Sequence, residues 1–277
     1  MPDEHRSGRQ YSLGHEPDEL ARLDRQAAAI EHPTRLLLEA AGLARGMRVL
    51  DLGTGLGHVA LLAGECVAPG GRVLGIDQAA DIIAAARRRA EDAGAMHVTF
   101  EEGDVGTWRA VEPFDAIVAR LLLFHVPDPV AVVRHQVQNL QPGGTFLVID
   151  YDMGSARAEP AVPIVTEAIR WIHEAFQAAG ASPRIGARLA RIVEEAGLRG
   201  VTTFGVQTYL DARAPAGPAL IAGIVRSLAP VIVRHGIAAP AQLDLATLER
   251  RIAEQVREAD AVILPPTVVG AWGYAAA

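Results

Sequence analysis

From Val49 to about Ile149, short apolar runs alternate with longer stretches of helical period. Val49, Leu50 and Leu52 make the first run, and His58 to Ala63, continuing to Cys66, reads as the helix behind it. Pro69-Gly70-Gly71 turns into a second run, Arg72 to Ile76, which ends at Asp77. Ala80 to Ala93 then sets Ile82, Ile83, Ala86 and Ala90 on one helical face. A third run, Val98 to Glu102, ends in Gly103-Asp104-Val105, and a fourth, Phe114 to Ala119, leads into a loop through Phe124-His125-Val126. Asp128-Pro129 is a good cap and first-position pair for the next helix, whose Val130, Val133, Val137 and Leu140 form its apolar stripe. Gln141-Pro142-Gly143-Gly144 turns into strand five, Thr145 to Ile149, closing on Asp150-Tyr151-Asp152. Regular alternation of this kind predicts a parallel sheet covered on both faces.

The flanks follow a different rhythm. Residues 1–10 are polar, and Pro17-Asp18-Glu19-Leu20 opens a helix with acids in its first turn, where they suit the macrodipole. A second helix, Pro33 to Ala41, stops at Gly42. After strand five come an amphipathic helix, Ile164 to Ala179, another from Ile185 to Ala196, and a sixth strand, Val201 to Tyr209. A proline-rich break at 214–218 precedes helices at about 219–234 and 245–259, and 261–272 supplies the last strand. The expected architecture is one domain over 1–277 with a seven-stranded, mostly parallel α/β sheet. An arm (1–42) precedes the core (43–152); 153–184 and 213–260 are cap insertions, and 185–212 with 261–277 complete the core.

Composition narrows the partners. Half of the 277 residues are hydrophobic and the net charge is −7, so no basic surplus exists to neutralise nucleic-acid phosphates. All 26 basic residues are arginine, which excludes Schiff-base chemistry and a lysine base. A single cysteine, Cys66, cannot form an internal disulfide and reads as a small apolar residue in a reducing cytoplasm. The N-terminus has no signal-peptide pattern, and no uninterrupted apolar run approaches the roughly 18 residues that span a membrane. The nine histidines show no zinc-type spacing with cysteine, so no metal is expected.

Chemistry concentrates at the strand ends. Asp51-Leu52-Gly53-Thr54-Gly55-Leu56-Gly57 follows the first strand and opens a helix, an arrangement that lets a ligand approach backbone N–H groups. A dinucleotide fingerprint wants its third glycine where His58 stands, and Asp51 would repel a pyrophosphate, so a nicotinamide-dependent oxidoreductase is disfavoured. A carboxylate there suits a ligand that is cationic at that point. Open α/β sheets bind ligands beyond the carboxyl ends of their strands. Asp77 ends strand two, where a carboxylate accepts both ribose hydroxyls, with Gln78 beside it. Asp104 ends strand three and suits an adenine amine, with the Val105 N–H facing a ring nitrogen.

The glycine loop, together with Phe114-Asp115-Ala116-Ile117-Val118-Ala119-Arg120 and Leu140-Gln141-Pro142-Gly143-Gly144, resembles the motifs of class I S-adenosylmethionine-dependent methyltransferases. The resemblance is strong over about 36–152 and nearest to the UbiE-like and secondary-metabolite enzymes that act on small molecules. It implies a Rossmann-like fold, S-adenosylmethionine contacted by Asp51, Gly53, Thr54, Gly55, Gly57, Asp77, Gln78, Asp104 and Val105, and a leading arm folded over the ligands. By the same resemblance Tyr11 and Gln26 touch the methionyl end or the acceptor, and Arg120 pairs with the ligand's carboxylate; a packed ring for Tyr11 and a surface ion pair for Arg120 are the alternatives. His125 is the candidate general base, or else a histidine hydrogen-bonded in its loop. Asp150, Tyr151 and Trp171 are candidates to line the acceptor pocket, with plain core as the alternative for Trp171. The expected reaction is methyl transfer to oxygen, nitrogen or carbon of a small, partly apolar metabolite. A fold that binds S-adenosylmethionine without methyl transfer, cyclase-like or regulatory, is the rival reading. The apolar stretch Ile221 to Val233 also offers a surface for a second copy of the chain.

Overall fold

The computed structural model describes residues 27–277. Tyr11, Gln26 and the first helix of the arm lie outside them. The alternation folds as expected: α1 (Glu31–Ala40), β1 (Arg48–Leu52), α2 (His58–Val67), β2 (Arg72–Asp77), α3 (Ala80–Asp92), β3 (Val98–Glu102), β4 (Phe114–Arg120), α4 (Pro129–Val137) and β5 (Leu140–Asp152) follow in turn. Beyond them come β6 (Arg157–Glu159), α5 (Pro163–Ala178), α6 (Leu189–Glu195), β7 (Arg199–Val206), α7 (Ala216–Arg234), α8 (Pro240–Leu243), α9 (Leu248–Glu258), β8 (Val262–Leu264) and β9 (Thr267–Tyr274).

Seven strands form one Rossmann-like sheet in the order β3-β2-β1-β4-β5-β9-β7. The first five are parallel, and β9 runs antiparallel to both β5 and β7. The chain moves outward in one direction from β1 to β3 and in the other from β4, so the order reverses between β1 and β4, the position where ligands dock. Side chains alternate across the sheet. Leu50, Ile117, Phe146 and Val148 pack under Val165, Trp171, Ile192 and Ile221. Val49, Val118, Leu147 and Ile149 pack under Leu37, Val59, Ala63 and Ile83.

One difference from the sequence-based expectation lies at the start of strand five: α4 stops at Val137, so Leu140, expected on its apolar stripe, opens β5, and Gln141-Pro142-Gly143-Gly144, expected as a turn, lies within that strand. The other differences lie after β5. The expected final strand over 261–272 is two strands, because Pro265 and Pro266 have no N–H to give a ladder. β8 therefore pairs with β6, a short strand that the pattern did not suggest, and only β9 joins the main sheet. The helix expected from Ile185 begins as a 3-10 turn, Ile185–Arg188. Gly186 there lies against the β5 backbone, where a Cβ would meet the Asp152 nitrogen at 2.5 Å. β7 ends at Val206, before Tyr209, and the stretch 245–259 contains only α9, since α8 and Asp244 in left-handed geometry precede it. α7 starts earlier than expected and, with Arg226 its sole interior charge, is long and apolar enough to cross a membrane, unlike any run foreseen. Its Ile221, Val225, Leu228 and Ile232 are buried against the rest of the domain. The side left outward carries Ala219, Arg226, Pro230 and Val233.

Candidate functional site

The glycine loop between β1 and α2 is held from several sides. Gly53, Gly55 and Gly57 have φ of 62, 52 and 81°, a region where a Cβ is strained. A Cβ on Gly53 would come within 2.9 Å of Leu122 Cδ1, and one on Gly57 within 2.8 Å of Phe100 Cζ. Gly55 differs, since a Cβ there would meet nothing within 4 Å. The first and third glycines serve packing, and the middle one faces open space. The Thr54 N–H donates to Ile76 O at 2.9 Å, tying the loop to β2.

Beneath the loop, Asp51 is 1% exposed and accepts from Thr54 Oγ1 at 2.6 Å. Burial pushes its carboxyl up to about 7, against the pull of the Thr54 hydroxyl and of the Arg120 charge. Asp51 is thus a buried brace for the loop, where the sequence suggested a carboxylate facing the ligand. Arg120, at the end of β4, is partly buried and donates from Nη1 to Thr34 Oγ1 on α1 at 3.0 Å. It is no surface ion pair. Burial lowers its pKa, and Asp51 is the first charge to oppose that.

Asp77 sits at the rim. Its Oδ2 accepts from the Gly55 N–H and its Oδ1 from the Ala79 N–H, each at 3.1 Å. Next to it, Gln78, Glu102, Gly103 and Asp104 line an open cavity of about 440 Å³. Asp104 Oδ1 accepts from the Gly106 N–H at 2.6 Å, and the Val105 carbonyl accepts from Gln136 Nε2 at 2.7 Å. The structure therefore brings Gly55, Asp77, Gln78 and Asp104 to one end of the sheet. Glu102 was missed by sequence reasoning. Its signal was its register, because β3 pairs it directly with Asp77.

On the other side of the switch point, His125 is exposed on a 3-10 turn, Leu123–His125, with its ring edge-on to Phe124 at 4.9 Å. Asp150 does not line a pocket: it is 1% exposed and holds two backbone N–H groups. Tyr151 is half-buried on β5 opposite Val268. Trp171 is core, 2% exposed, and among the described residues its Nε1 has no hydrogen-bond partner. A small apolar cavity of about 40 Å³ lies instead between α5, α7 and the Pro265-Pro266 corner. Ile169, Ile172, Ile221, Ile224 and Leu264 line it, and His173 is its one ionisable wall residue. Among the described residues, no group of His, Cys, Asp or Glu is arranged to hold a metal ion.

Known proteins share the family and the fold. The methyltransferase domain family matches residues 43–197, more than half of the chain. The chain belongs to that family. Within it, this methyltransferase-family chain is 30% identical over 203 residues to an uncharacterised 37.1 kDa protein of a Streptomyces fradiae transposon, covering 72% of this chain and 57% of the other. It is 32% identical over 145 residues to the ubiquinone biosynthesis O-methyltransferase of Sodalis glossinidius, covering 47% of this chain and 57% of that one. The chain thus spans little more than half the length of either relative. In fold it is similar to a putative methyltransferase from Bacillus halodurans, at TM-score 0.57 and 18% identity over 88% of this chain and 99% of the other. It is also similar to the cyclase SpnF, at TM-score 0.54 and 20% identity over 90% and 83%.

Proposed function

We propose that this chain transfers the methyl group of S-adenosylmethionine to an oxygen, nitrogen or carbon of a small, partly apolar acceptor. The observation that carries the reading is the left-handed Gly55, open on its Cβ side and bonded through its N–H to Asp77, beside the cavity of Gln78, Glu102, Gly103 and Asp104. Those residues fit a nucleoside. Asp77 keeps lone pairs for two vicinal hydroxyls, Gly55 lets the ligand lie against backbone, and Asp104 has a second oxygen for an exocyclic amine. His58 stands where a dinucleotide fingerprint needs glycine, which argues against a nicotinamide reading.

The donor supplies an already activated sulfonium methyl, so the protein's contribution is positioning and the exclusion of water. Asp51 braces the loop through Thr54, and Arg120 ties the end of β4 to α1 through Thr34. His125, exposed at the same end of the sheet, takes the acceptor's proton where the acceptor must lose one. Few aromatics and a net charge of −7, with no basic surplus, favour a small, partly apolar acceptor over nucleic acid. Half-buried Cys66, the lone cysteine, suits a reducing cytoplasm.

Calorimetric titration with S-adenosylhomocysteine, with NAD as control, tests the reading. Micromolar binding to the former alone supports it, and binding of NAD in its place overturns it. Incorporation of labelled methyl into an acceptor separates a methyl-transferring enzyme from a protein that only binds the donor.

A further inference from the structure

Asp150 is destabilising where it stands unless its partners compensate. A carboxyl 1% exposed at the end of β5 gives up its hydration, and among the described residues no cation offsets that loss; burial drives its pKa up to about 7, opposed by two backbone N–H groups. Those two donors are its compensation among the described residues. Oδ2 accepts from Phe124 N at 3.0 Å and Oδ1 from Tyr151 N at 3.0 Å. One donor belongs to the turn after β4 and the other to β5 itself. A carboxylate can accept from both at once through separate oxygens, which a hydroxyl or a single amide oxygen cannot do in the same geometry.

Phe124 is clamped on its remaining sides as well. Its carbonyl accepts from Ser182 N at 2.9 Å, just beyond α5. Its ring meets Phe176 of α5 edge-on at 4.9 Å and the His125 ring edge-on at the same distance. The turn that carries exposed His125 is therefore fixed by β5 through Asp150 and by the cap through Ser182 and Phe176.

We propose that Asp150 is a positioning residue: by holding the Phe124 N–H against the end of β5 it sets the direction of the His125 ring toward the acceptor. This rests on the proposed reading, in which His125 meets the acceptor, and it assigns Asp150 no contact with ligand.

The test uses the full chain labelled with carbon-13 histidine, the His125 ring being assigned through His125→Gln. Three forms are compared: the parent, Asp150→Asn, which keeps one acceptor oxygen, and Asp150→Leu, which keeps none. A positioning role predicts a graded response. The His125 ring resonances lose their Phe124 ring-current shift partly in Asp150→Asn and fully in Asp150→Leu, while His173 stays unchanged. Identical His125 spectra in all three, or equal changes in the two variants, would overturn it. Should the variants not fold, amide exchange in the parent decides: the Phe124 N–H must exchange at least about 100-fold more slowly than an open turn, the protection expected of a bonded amide that only larger openings expose, and free exchange would sink the proposal. S-adenosylhomocysteine affinity, expected within twofold of the parent in every folded form, reports separately on the functional reading.

Discussion

Two buried acids divide the molecule. Asp51 and Asp150 each end a parallel strand, each is 1% exposed, and burial pushes each to about 7. Their settings differ. Asp51 binds a side-chain hydroxyl and has the Arg120 charge near it, whereas Asp150 binds only backbone N–H groups. The first is embedded in the loop half, where local sequence builds a rigid glycine cradle. The second spans two segments 26 residues apart and ties the turn after β4 onto β5. Similar burial cost is thus opposed by a side-chain hydroxyl and then a nearby charge at Asp51, and by two backbone N–H groups at Asp150.

The sharpest test contrasts glycines. Gly57→Ala places a Cβ at φ 81° and 2.8 Å from Phe100, and should cost about 3 kcal/mol from strain and overpacking together. Thermal melting would read it, and titration should find no binding of S-adenosylhomocysteine. An alanine tolerated there would mean that the loop half is no more rigid than the cap.

Asp77→Ala removes the acceptor for the Gly55 and Ala79 N–H groups and any acceptor for ribose hydroxyls. Affinity for S-adenosylhomocysteine should fall roughly 10- to 100-fold, the range for a lost charge-assisted hydrogen bond. Calorimetry that finds an unchanged constant would remove Asp77 from the site.

Protonation compares the two acids directly. Both folded-state values lie above the ordinary 3.8, so the folded chain holds protons that the unfolded chain has released. Their contribution to stability is complete below about pH 4 and is lost as pH rises through about 7. Asp150→Asn should therefore look progressively better relative to the parent between about pH 4 and pH 7 in melting curves, with no further change above that. Arg120→Gln should raise the Asp51 titration further and leave Asp150 unmoved, read by carbon-13 carboxyl shifts, because Arg120 acts on Asp51 alone of the two.

The smallest effect is expected in the cap. Gly223 lies inside α7, and a Cβ added there would meet nothing within 4 Å, so Gly223→Ala should stabilise by about 0.5–1 kcal/mol through helix propensity. A destabilised variant would show that the cap helix needs its glycine for packing.

Much of this was readable along the chain because its causes are local. Apolar period distinguishes most of the strands and helices from β1 to β5, and three alternate glycines after a strand let a ligand approach the backbone whatever lies around them. The carboxyl ends of β1, β2 and β3 follow from that alternation, so Asp51, Asp77 and Asp104 could be placed at one end of the sheet from the sequence alone. What side chains do at those ends is another matter, because burial and partners depend on segments far apart in sequence. Only the folded chain turned Asp51 under its loop, brought Arg120 to Thr34 across 86 residues, and joined Asp150 to Phe124. Only the folded chain gave β8 its partner β6, and only packing made a core residue of Trp171 and a cavity wall of His173. Periodicity is a property of neighbours in the chain, whereas desolvation and hydrogen-bond partnership belong to neighbours in space.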